Sequence, residues 1–391
     1  MIPVTEALDH LFALTGTLPS ENVPLSSANR RVLAEPVIAL RDQPPFDASA
    51  MDGYAVMSSD ANVGTTLTVV GESAAGHRYE DALVQGQCVR IFTGAPIPVG
   101  ADRVVIQEDV ERTGDQITLR GPLGHGTHIR PAGGDFRGGT QIAAPRILRP
   151  SDIALMAAMN IAEVPVTRKP RVAIMATGDE LVMPGEMPGP DQIIASNSFG
   201  LKAMIEDLGA DVRLLPIARD TESSLKTAFD LSDDCDLVIT IGGASVGDHD
   251  LVGKVAVDLG MKRSFYKIAM RPGKPLMAGR LTSGAMMIGL PGNPVSAMVC
   301  GHVFVAPVIR AMLGLGQHAT PKHTMTLATD IPANGPREHY MRATIQDGAL
   351  HVADRQDSSL LTVLADANAL IVRPVNGIAL KVGDQTQCIL I

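Results

Sequence analysis

Three closely spaced segments between residues 236 and 296 decide the fold of the middle of the chain: DLVITIGGASVGDHD (236–250), FYKIAMRPGKP (265–275) and MMIGLPGNPVS (286–296). The apolar runs predict buried strands, and the glycines and prolines after them predict tight turns. The first segment ends on carboxylates and the second carries three cations, all within less than the length of an ordinary domain. This mixture favours a site for a phosphorylated, metal-bound ligand.

Length and composition limit the classes of protein to consider. At 391 residues the chain is long enough for roughly two to four domains. The 33 basic and 42 acidic side chains give a net charge of −9, which argues against nucleic acid or an anionic membrane as the main partner. With 3% aromatic residues and no Trp, base-stacking platforms are not expected either.

The cysteines and the N-terminus bear on the cellular compartment. Cys88, Cys235, Cys300 and Cys388 form no C-x-x-C pair, so we expect buried free thiols in a reducing compartment rather than a zinc site or disulfides. The stretch MIPVTEALDHLFAL (1–14) has acidic residues before its apolar run, unlike a signal peptide. No apolar run of about 18 residues is free of charge, Pro and Gly. We therefore expect a soluble, cytoplasmic protein.

The first 170 residues alternate between helical and strand patterns. Residues 1–45 open with an amphipathic helix that Thr5 can cap, and 141–170 contain a second helix with Ser151 as its N-cap. Residues 46–140 between them show short alternating strands cut by glycine. We predict an elongated linker domain formed by the two outer parts and a β-rich module inserted between them.

The remainder of the chain changes pattern twice. Strands alternate with helices over 171–318, which predicts a doubly wound parallel α/β domain whose last helix is bent by Pro307. Residues 319–391 return to a β pattern with a hairpin signal at Asn376-Gly377, and we predict a barrel-like domain there. The predicted fold class is therefore α/β plus β, in a multidomain elongated chain.

Polar, glycine or acidic residues follow each predicted strand of the α/β domain. In an open parallel sheet, ligands bind outside the carboxyl ends of the strands. Turn chemistry explains any single loop of this kind, but five such loops together favour a site. The residues concerned are Thr177, Gly178, Asp179 and Glu180 after RVAIMA; Ser196 and Asn197 after IIA; Arg219 and Asp220 after DVRLLPI; Gly242, Gly243, Ser245, Gly247, Asp248, His249 and Asp250 after DLVITI; and Pro291, Gly292, Asn293 and Pro294 after AMMIGL.

Two of these loops have specific backbone properties. The glycine loop at 242–247 lets N–H groups approach an anion or a flat ring, although it is neither a dinucleotide fingerprint nor a P-loop. The turn at 291–294 places Asn293 as the N-cap and Pro294 as the first residue of a helix. A helix N-terminus after a tight turn can bind an anion, and a simple helix cap explains the same residues equally well.

The charged residues of the segment suggest phosphate and metal chemistry. Lys267 and Arg271 share a face in a strand or a helix, and Lys274 follows them. Such cations would hold phosphate or another oxyanion, the alternative being a solvated basic face. Asp220, Asp248 and Asp250 could ligate Mg²⁺ through oxygen, the alternative being ordinary loop acidity.

Asp52 and Thr93 stand out in the β-rich module for a different reason. Asp52 precedes a glycine in SAMDGYAV, and Thr93 lies in the turn FTGAPIP. Turn capping explains both residues, and on physical grounds alone it is the interpretation we prefer.

Eight segments together resemble the MoeA/gephyrin E-domain family, the molybdopterin molybdenumtransferases. They occur in the family order and cover essentially the whole chain, which makes the resemblance specific although no single segment is. The segments are SAMDGYAV (49–56), IFTGAPIPVGADRVV (91–105), IRPAGGDFRGG (129–139), ATGDEL (176–181), SNS (196–198), GGASVGDHD (242–250), KIAMRPGKP (267–275) and GLPGNPVSA (289–297).

This resemblance implies a reaction and an assembly. Such enzymes bind adenylylated molybdopterin and molybdate, cleave the phosphoanhydride with a divalent cation, release AMP and leave molybdenum on the dithiolene. The family further implies an elongated homodimer of four domains, with the site between the α/β domain of one subunit and the β-rich module of the other. Contacts with other cofactor-biosynthesis proteins or molybdoenzymes are also compatible with it.

The resemblance also assigns residues. It implies catalytic positions at Asp52, Thr93, Glu180, Asp220, Asp250, Lys267 and Arg271, the last at a place where related chains carry lysine. It implies substrate-binding positions at Arg130, Asp135, Arg342 and Ser358. The loop and charge chemistry described above adds, as further substrate-binding candidates, Gly242, Gly243, Ser245, Gly247, Lys274, Pro291, Gly292, Asn293 and Pro294. Two alternatives remain open: an adenylyltransferase acting one step earlier, which uses a similar α/β domain, and a scaffold that holds pterin without turnover.

Overall fold

The computed structural model of the protein describes residues 1–243 and 251–391. They form two compact units, a larger one (Met1–Glu21 and Thr167–Ile391) and a smaller one (Asn22–Val166). The first helix of the larger unit, α1 (Val4–Ala13), buries Val4, Ala7, Leu8 and Leu11 at the predicted helical spacing. Thr5 does not cap this helix, because its N-cap is Pro3. The predicted division into four domains, 1–45 with 141–170, 46–140, 171–318 and 319–391, stays a prediction.

Short strands dominate the chain between residues 20 and 167, as the alternating pattern predicts. In chain order the elements are β1 (Ser20–Pro24), β2 (Val32–Leu33), β3 (Val37–Ile38), β4 (Ala48–Ser49), β5 (Gly53–Val56), β6 (Thr66–Ser73), β7 (Gln87–Ile91), β8 (Arg103–Ile106), β9 (Val110–Thr113), β10 (Gln116–Leu119), β11 (Ile129–Arg130), β12 (Gln141–Ile142), β13 (Arg146–Ile147), α2 (Pro150–Ala158) and β14 (Glu163–Thr167). The glycine-cut segments form a six-stranded sheet in the order β8-β5-β7-β6-β10-β9, with hydrophobic clusters on both of its faces.

The start of α2 differs from the prediction. Its N-cap is Arg149 rather than Ser151, and Pro150 is the first helical residue. The Asp152 carboxylate accepts a hydrogen bond from the Arg149 N–H at 2.9 Å. A carboxylate in the first helical turn thus satisfies the backbone donor of the cap, so the hydroxyl of Ser151 is not needed for this purpose.

The larger unit contains an α/β sheet followed by a barrel. Its further elements, in chain order, are β15 (Arg171–Ala176), β16 (Leu181–Val182), β17 (Ile193–Ile194), α3 (Asn197–Asp207), β18 (Asp211–Leu214), α4 (Glu222–Asp230), β19 (Leu237–Ile241), α5 (Leu251–Asp258), β20 (Lys262–Tyr266), β21 (Met270–Arg271), β22 (Met277–Arg280), β23 (Met286–Leu290), α6 (Pro294–Cys300), α7 (Ala306–Met312), β24 (His323–Leu327), β25 (Glu338–Gln346), β26 (Ala349–Val352), α8 (Leu361–Ala365), β27 (Ala369–Arg373) and β28 (Gln385–Leu390).

The α/β sheet confirms the predicted parallel core and extends it. Its order is β18-β15-β19-β23-β22-β20, in which the first four strands are parallel. The last two strands are antiparallel to their neighbours, so the sheet is mixed. The segment IIA does not belong to this sheet, contrary to the prediction. Ile193–Ile194 pair with Leu181–Val182 in a separate two-stranded parallel ladder, and both isoleucines are exposed, so this short strand has no buried face to pack into the main sheet.

A long helical run closes one side of the α/β sheet. The interruption predicted near Pro307 takes the form of a π-helical segment, Gly301–Val305, between α6 and α7. Proline lacks an N–H and clashes with the carbonyl four residues earlier, which disfavours regular α-helix at this point. The run Pro294–Met312 is long and apolar enough to cross a membrane, but 83% of its apolar window is buried in the protein, the pattern of a core helix.

The last strands confirm the predicted barrel. Strands β25-β26-β24-β28-β27 are adjacent in that order, and β27 pairs back onto β25, which closes the ring. The predicted hairpin turn at Asn376-Gly377 is wrong, however. Asp347 and Gly348, both with positive φ, form the tight turn between β25 and β26, whereas Asn376 lies in the long connection 374–384 between β27 and β28. A two-residue turn needs strands that begin directly beside it, and these flank Asp347.

Candidate functional site

A cavity of about 660 Å³ lies at the carboxyl edge of the parallel strands of the larger unit. Strands β15, β18, β19 and β23 run in one direction, so the loops that follow them meet at this edge, as predicted. The cavity is lined by Ala176, Thr177, Gly178, Glu180, Leu181, Ile193, Ile194, Ala195, Ser196, Asn197, Ser198, Asp220, Ile241, Gly242, Gly243, Pro275, Pro291, Gly292, Asn293 and Pro294. Residues from all five predicted loops contribute.

The two carboxylates of the lining are held by a bridge between their loops. The Asp220 N–H donates to the Asp179 carboxylate at 3.2 Å. Arg219 Nη1 donates to the carbonyls of Asp179 at 2.9 Å and Leu181 at 3.3 Å, which flank Glu180 in the chain. Asp179 and Arg219 both follow predicted strands, and no role was predicted for either residue. Their contacts identify them as the groups that set the backbone on either side of Glu180 and at Asp220.

The glycine loop comes close to its neighbours, as its composition predicts. Gly242 and Gly243 have φ angles of 92° and 62°. A Cβ on Gly242 would lie 2.7 Å from the Thr177 carbonyl oxygen, and one on Gly243 would lie 2.3 Å from a Val252 methyl. Only glycine fits these two positions. The predicted site residues Ser245, Gly247, Asp248 and Asp250 lie outside the described residues.

The Pro-Gly-Asn-Pro turn is built as predicted. Asn293 is the N-cap of α6 and Pro294 its first residue, although the Asn293 side chain forms no capping hydrogen bond. Asn197 Nδ2 donates to the Gly292 carbonyl at 2.7 Å and so ties the turn to α3. The Val295 N–H already donates to a carbonyl, that of Ser358, at 3.1 Å.

The three predicted cations are absent from the lining of this cavity, to which their segment contributes Pro275. Lys267 has a φ of 73° and lies between β20 and β21. The backbone between Lys267 and Arg271 is therefore neither regular strand nor regular helix, so the predicted shared face, which requires a regular period, does not form. Arg271 instead pairs opposite His339 in the barrel sheet, and Lys274 is exposed. Ligand binding by the three cations stays a prediction.

The C-terminal residues assigned by resemblance have structural contacts. Arg342 is only 2% exposed, and burial lowers its pKa. Its guanidinium donates to Gln356 Oε1 at 3.3 Å and to the carbonyl of Asp357 at 2.8 Å. Arg342 thus secures the loop whose Ser358 carbonyl meets the start of α6. A direct role of Arg342 or Ser358 in ligand binding stays a prediction.

In the smaller unit, Asp52 and Thr93 form one compact motif. The Thr93 N–H and Oγ1–H both donate to Asp52 Oδ1, at 2.7 and 2.8 Å. These hydrogen bonds, chiefly, hold the pKa of the exposed Asp52 carboxyl below its ordinary value. The preferred interpretation, turn capping, matches this contact. It leaves the second carboxylate oxygen free of Thr93 and exposed at the surface.

The other assigned residues of the smaller unit lie at its surface. Arg130 is exposed at the end of β11, where it pairs with Ala48 of β4. Asp135 is exposed in the next loop, and its N–H donates to the carbonyl of Gln43 at 2.9 Å. Backbone contacts therefore hold Arg130 and Asp135 in position at the surface. Substrate binding by these two residues stays a prediction.

Metal-binding groups are sparse in the part of the chain that the structure describes. Residues 1–243 and 251–391 contain no group of three or more His, Cys, Asp or Glu side chains placed to share a metal ion. The four cysteines are buried and unpaired, as predicted. Glu180 and Asp220 are thus the carboxylates that the lining of the cavity offers to a cation.

Three sequence families match the chain in succession. The family described as "MoeA N-terminal region (domain I and II)" matches residues 2–160, "Probable molybdopterin binding domain" matches 173–311, and "MoeA C-terminal region (domain IV)" matches 324–391. The second family contains the whole edge of the sheet where the cavity lies.

Relatives and solved structures agree with these matches. A molybdopterin molybdenumtransferase of Nostoc is 36% identical over 96% of this chain and 90% of its own length. A molybdopterin molybdenumtransferase 2 of Mycobacterium tuberculosis is 35% identical over 93% of each chain. The crystal structure of a molybdopterin biosynthesis MoeA protein from Pyrococcus horikoshii superposes with a TM-score of 0.84 at 29% identity, over all of both chains. The resemblance drawn from the sequence is confirmed: this chain belongs to the MoeA family of molybdopterin molybdenumtransferases, which are transferases of molybdenum cofactor biosynthesis.

Proposed function

We propose that this protein transfers molybdenum from molybdate to adenylylated molybdopterin and releases AMP. The observation that carries the proposal is the cavity at the carboxyl edge of the parallel sheet, with Glu180 and Asp220 in its lining. Its volume of about 660 Å³ lies within the range of small-molecule sites. Family membership over almost the whole chain supports the same activity.

The lining suits a phosphorylated pterin. Gly242, Gly243 and Gly292 present backbone to the cavity, and backbone N–H groups without side chains can approach a phosphate or a flat ring closely. Ile193 and Ile194 are partly exposed in the same lining and offer apolar contact to a flat ring. We assign the pterin nucleotide to this cavity, with Ser245 and Gly247 continuing the glycine loop.

Mg²⁺ fits the donors that the cavity provides. Magnesium is usually bound by one or two carboxylates together with phosphate oxygens of the substrate. Glu180 and Asp220 supply such carboxylates, and Asp250 and Asp248 are the further candidates from the glycine loop. When bound, the ion would neutralise charge on the phosphoanhydride as AMP leaves. Arg219 and Asp179 act before that step, because they hold both carboxylate-bearing loops in position.

The remaining residues complete the proposed site. Lys267, Arg271 and Lys274 are assigned to the oxyanion charge of molybdate and phosphate, since fixed cations stabilise such groups. Asp52 and Thr93, with Arg130 and Asp135, are assigned to a second subunit of a homodimer. We place the enzyme in the cytoplasm and propose that the pterin product passes to other proteins that use or finish the cofactor.

Release of AMP tests the proposed reaction. The protein is incubated with adenylylated molybdopterin, Mg²⁺ and molybdate, and AMP is quantified by chromatography. We expect AMP release that depends on molybdate and is lost in Asp220→Ala. Retained pterin nucleotide with no AMP would instead indicate a scaffold, and formation of the adenylylated pterin from ATP would indicate an adenylyltransferase; either result would contradict the proposal.

Complementation tests the shared site. Inactive Asp52→Ala and Asp220→Ala proteins are mixed and allowed to exchange subunits. If each site takes Asp52 from one subunit and Asp220 from the other, mixed dimers contain one intact site, and roughly a quarter of wild-type activity should return. A mixture that dimerises by sedimentation but stays inactive would show that both residues act within one chain.

A further inference from the structure

We propose that Arg90 is a positioning residue for the Asp52–Thr93 pair, and that it holds both residues of the pair through their chain neighbours. The inference rests on the proposed function in one respect, the assignment of Asp52 to the reaction. Its structural content is independent of that assignment, since every contact lies within the smaller unit.

Arg90 fixes the two backbone carbonyls that follow the Cα of Asp52, those of Asp52 and Gly53. Its Nη1 donates to the carbonyl of Gly53, the next residue, at 3.0 Å. Its Nη2 donates to Gln107 Oε1 at 2.7 Å, and the Gln107 N–H in turn donates to the Asp52 carbonyl at 3.1 Å. One planar guanidinium therefore reaches the Asp52 segment directly and also through Gln107.

The same guanidinium packs against the aromatic neighbours of both residues. Its carbon lies 4.7 Å from the ring centre of Phe92, which directly precedes Thr93. It lies 5.1 Å from the ring centre of Tyr54, which follows Gly53. Both distances are within the range of cation–π attraction. Arg90 thus ties the residue before Thr93 to the residues after Asp52.

This arrangement has an electrostatic consequence. The positive charge of Arg90 adds to the Thr93 hydrogen bonds in holding the pKa of Asp52 down. The carboxylate therefore stays ionised with one oxygen committed to Thr93. Loss of Arg90 should weaken this state twice, because the charge disappears and the Thr93 donors become less well placed.

Lysine is not an adequate substitute for Arg90. An ammonium is a compact charge without the planar fork that meets two acceptors while stacking between two rings. Arg90→Lys should therefore keep most of the charge effect and lose most of the positioning effect. This difference separates positioning from charge alone.

The experiment compares Arg90→Gln and Arg90→Lys with the control Arg78→Gln. Arg78 is another arginine of the smaller unit placed over a ring, 5.8 Å from the centre of Phe46. The titration of the Asp52 carboxyl is followed by carbon NMR, and kcat and KM are measured for AMP release.

We expect the pKa of Asp52 to rise clearly in Arg90→Gln and less in Arg90→Lys. We expect kcat to fall by about tenfold or more in both variants, since small misplacements of a catalytic group cost this much, with KM little changed. Arg78→Gln should leave both readouts as in the wild type.

Two outcomes overturn different statements. If Asp52→Ala is inactive but the Arg90 variants keep the wild-type kcat and Asp52 titration, the positioning role is wrong. If Asp52→Ala is fully active, the assignment of Asp52 to the reaction fails, and the Asp52 titration alone then decides whether Arg90 positions it. Should Arg90→Gln fail to fold, Arg90→Lys decides, because it keeps the cation and the packing volume.

Discussion

The cavity of the larger unit and the Asp52–Thr93 pair of the smaller unit assemble chemical groups in opposite ways. In the larger unit, β15, β18, β19 and β23 are parallel, so each strand delivers its following loop to the same edge. In the smaller unit, β5 and β7 are antiparallel, with Gly53 opposite Ile91. The start of one strand thus lies beside the end of the other, and this places Asp52 near Thr93.

This contrast indicates which kind of substitution each site tolerates. At the parallel edge, direction alone gathers the loops, and local bridges such as Arg219–Asp179 then refine them. In the antiparallel pair, the register determines whether Asp52 and Thr93 meet, because a slip of one residue turns every side chain to the other face. We expect the first site to be sensitive to its loop side chains and the second to the packing of its strands.

The largest expected effect is a loss of kcat that occurs at the cavity edge of the parallel strands and not at their opposite edge. Glu180→Gln removes a carboxylate from the cavity lining and should lower kcat for AMP release by about a hundredfold, as removal of a preorganised electrostatic group typically does. The control is Asp211→Asn, an exposed carboxylate at the opposite end of β18, which should leave kcat unchanged. Equal losses in both variants would show that charge anywhere on the sheet matters, against the edge argument.

A substitution at Gly53 is the most direct way to disturb the pairing of β5 with its neighbouring strands in the smaller unit. A Cβ at this position would lie 2.0 Å from the Val105 carbonyl oxygen of the adjacent strand. Gly53→Ala should therefore reduce the free energy of unfolding by about 1–3 kcal/mol, the usual cost of overpacking. Denaturant unfolding measures it. Gly124→Ala, where nothing lies within 4 Å of the new methyl, should change it little. Equal stability of the two variants would contradict the close approach of β5 and β8.

The bridge between loops predicts a smaller effect at the parallel edge. Arg219→Gln removes the hydrogen bonds to the carbonyls of Asp179 and Leu181 and should lower kcat about tenfold. Arg213→Gln should keep kcat, because Arg213 lies on the preceding strand β18 and donates to Leu231 and Asp234 instead. A normal kcat in Arg219→Gln would mean that direction of the strands alone sets the two carboxylates.

The smallest effect concerns the Thr93 hydroxyl. Hydrogen bonds to the ionised form lower the pKa of Asp52, so their stabilising contribution is present above the ordinary pKa of an aspartate and is lost as the pH falls through the lowered value. Thr93→Val removes the Oγ1 donor and keeps the N–H donor, so the pKa of Asp52 should rise only in part. Carbon NMR of the carboxyl measures it, and Thr93→Ser should restore the wild-type titration. An unchanged titration in Thr93→Val would mean that the N–H alone is responsible.

Much of the cavity was predictable from local sequence, and each wrong prediction has its own physical reason. The exits of four parallel strands, the N-cap position of Asn293 and the glycines at 242–243 follow from apolar runs and turn chemistry. The face shared by Lys267 and Arg271 did not follow, because the left-handed backbone at Lys267 breaks the periodicity. Ile193–Ile194 pair with Leu181–Val182 outside the main sheet. Asp347 and Gly348 form the tight turn because β25 ends and β26 begins directly beside them.

Strand ends, the turns that require glycine or proline, and the family of the chain could all be read from the amino-acid sequence, because they depend on short-range backbone preferences and on ordered motifs. The folded chain was needed to show that Arg342 of β25 is buried against the carbonyls of the loop 353–360, that Arg219 bridges two loops, and that Arg90 lies between the neighbours of Asp52 and Thr93. Such contacts join residues that are distant in the chain, and strand order and register bring them together without leaving a local pattern in the sequence.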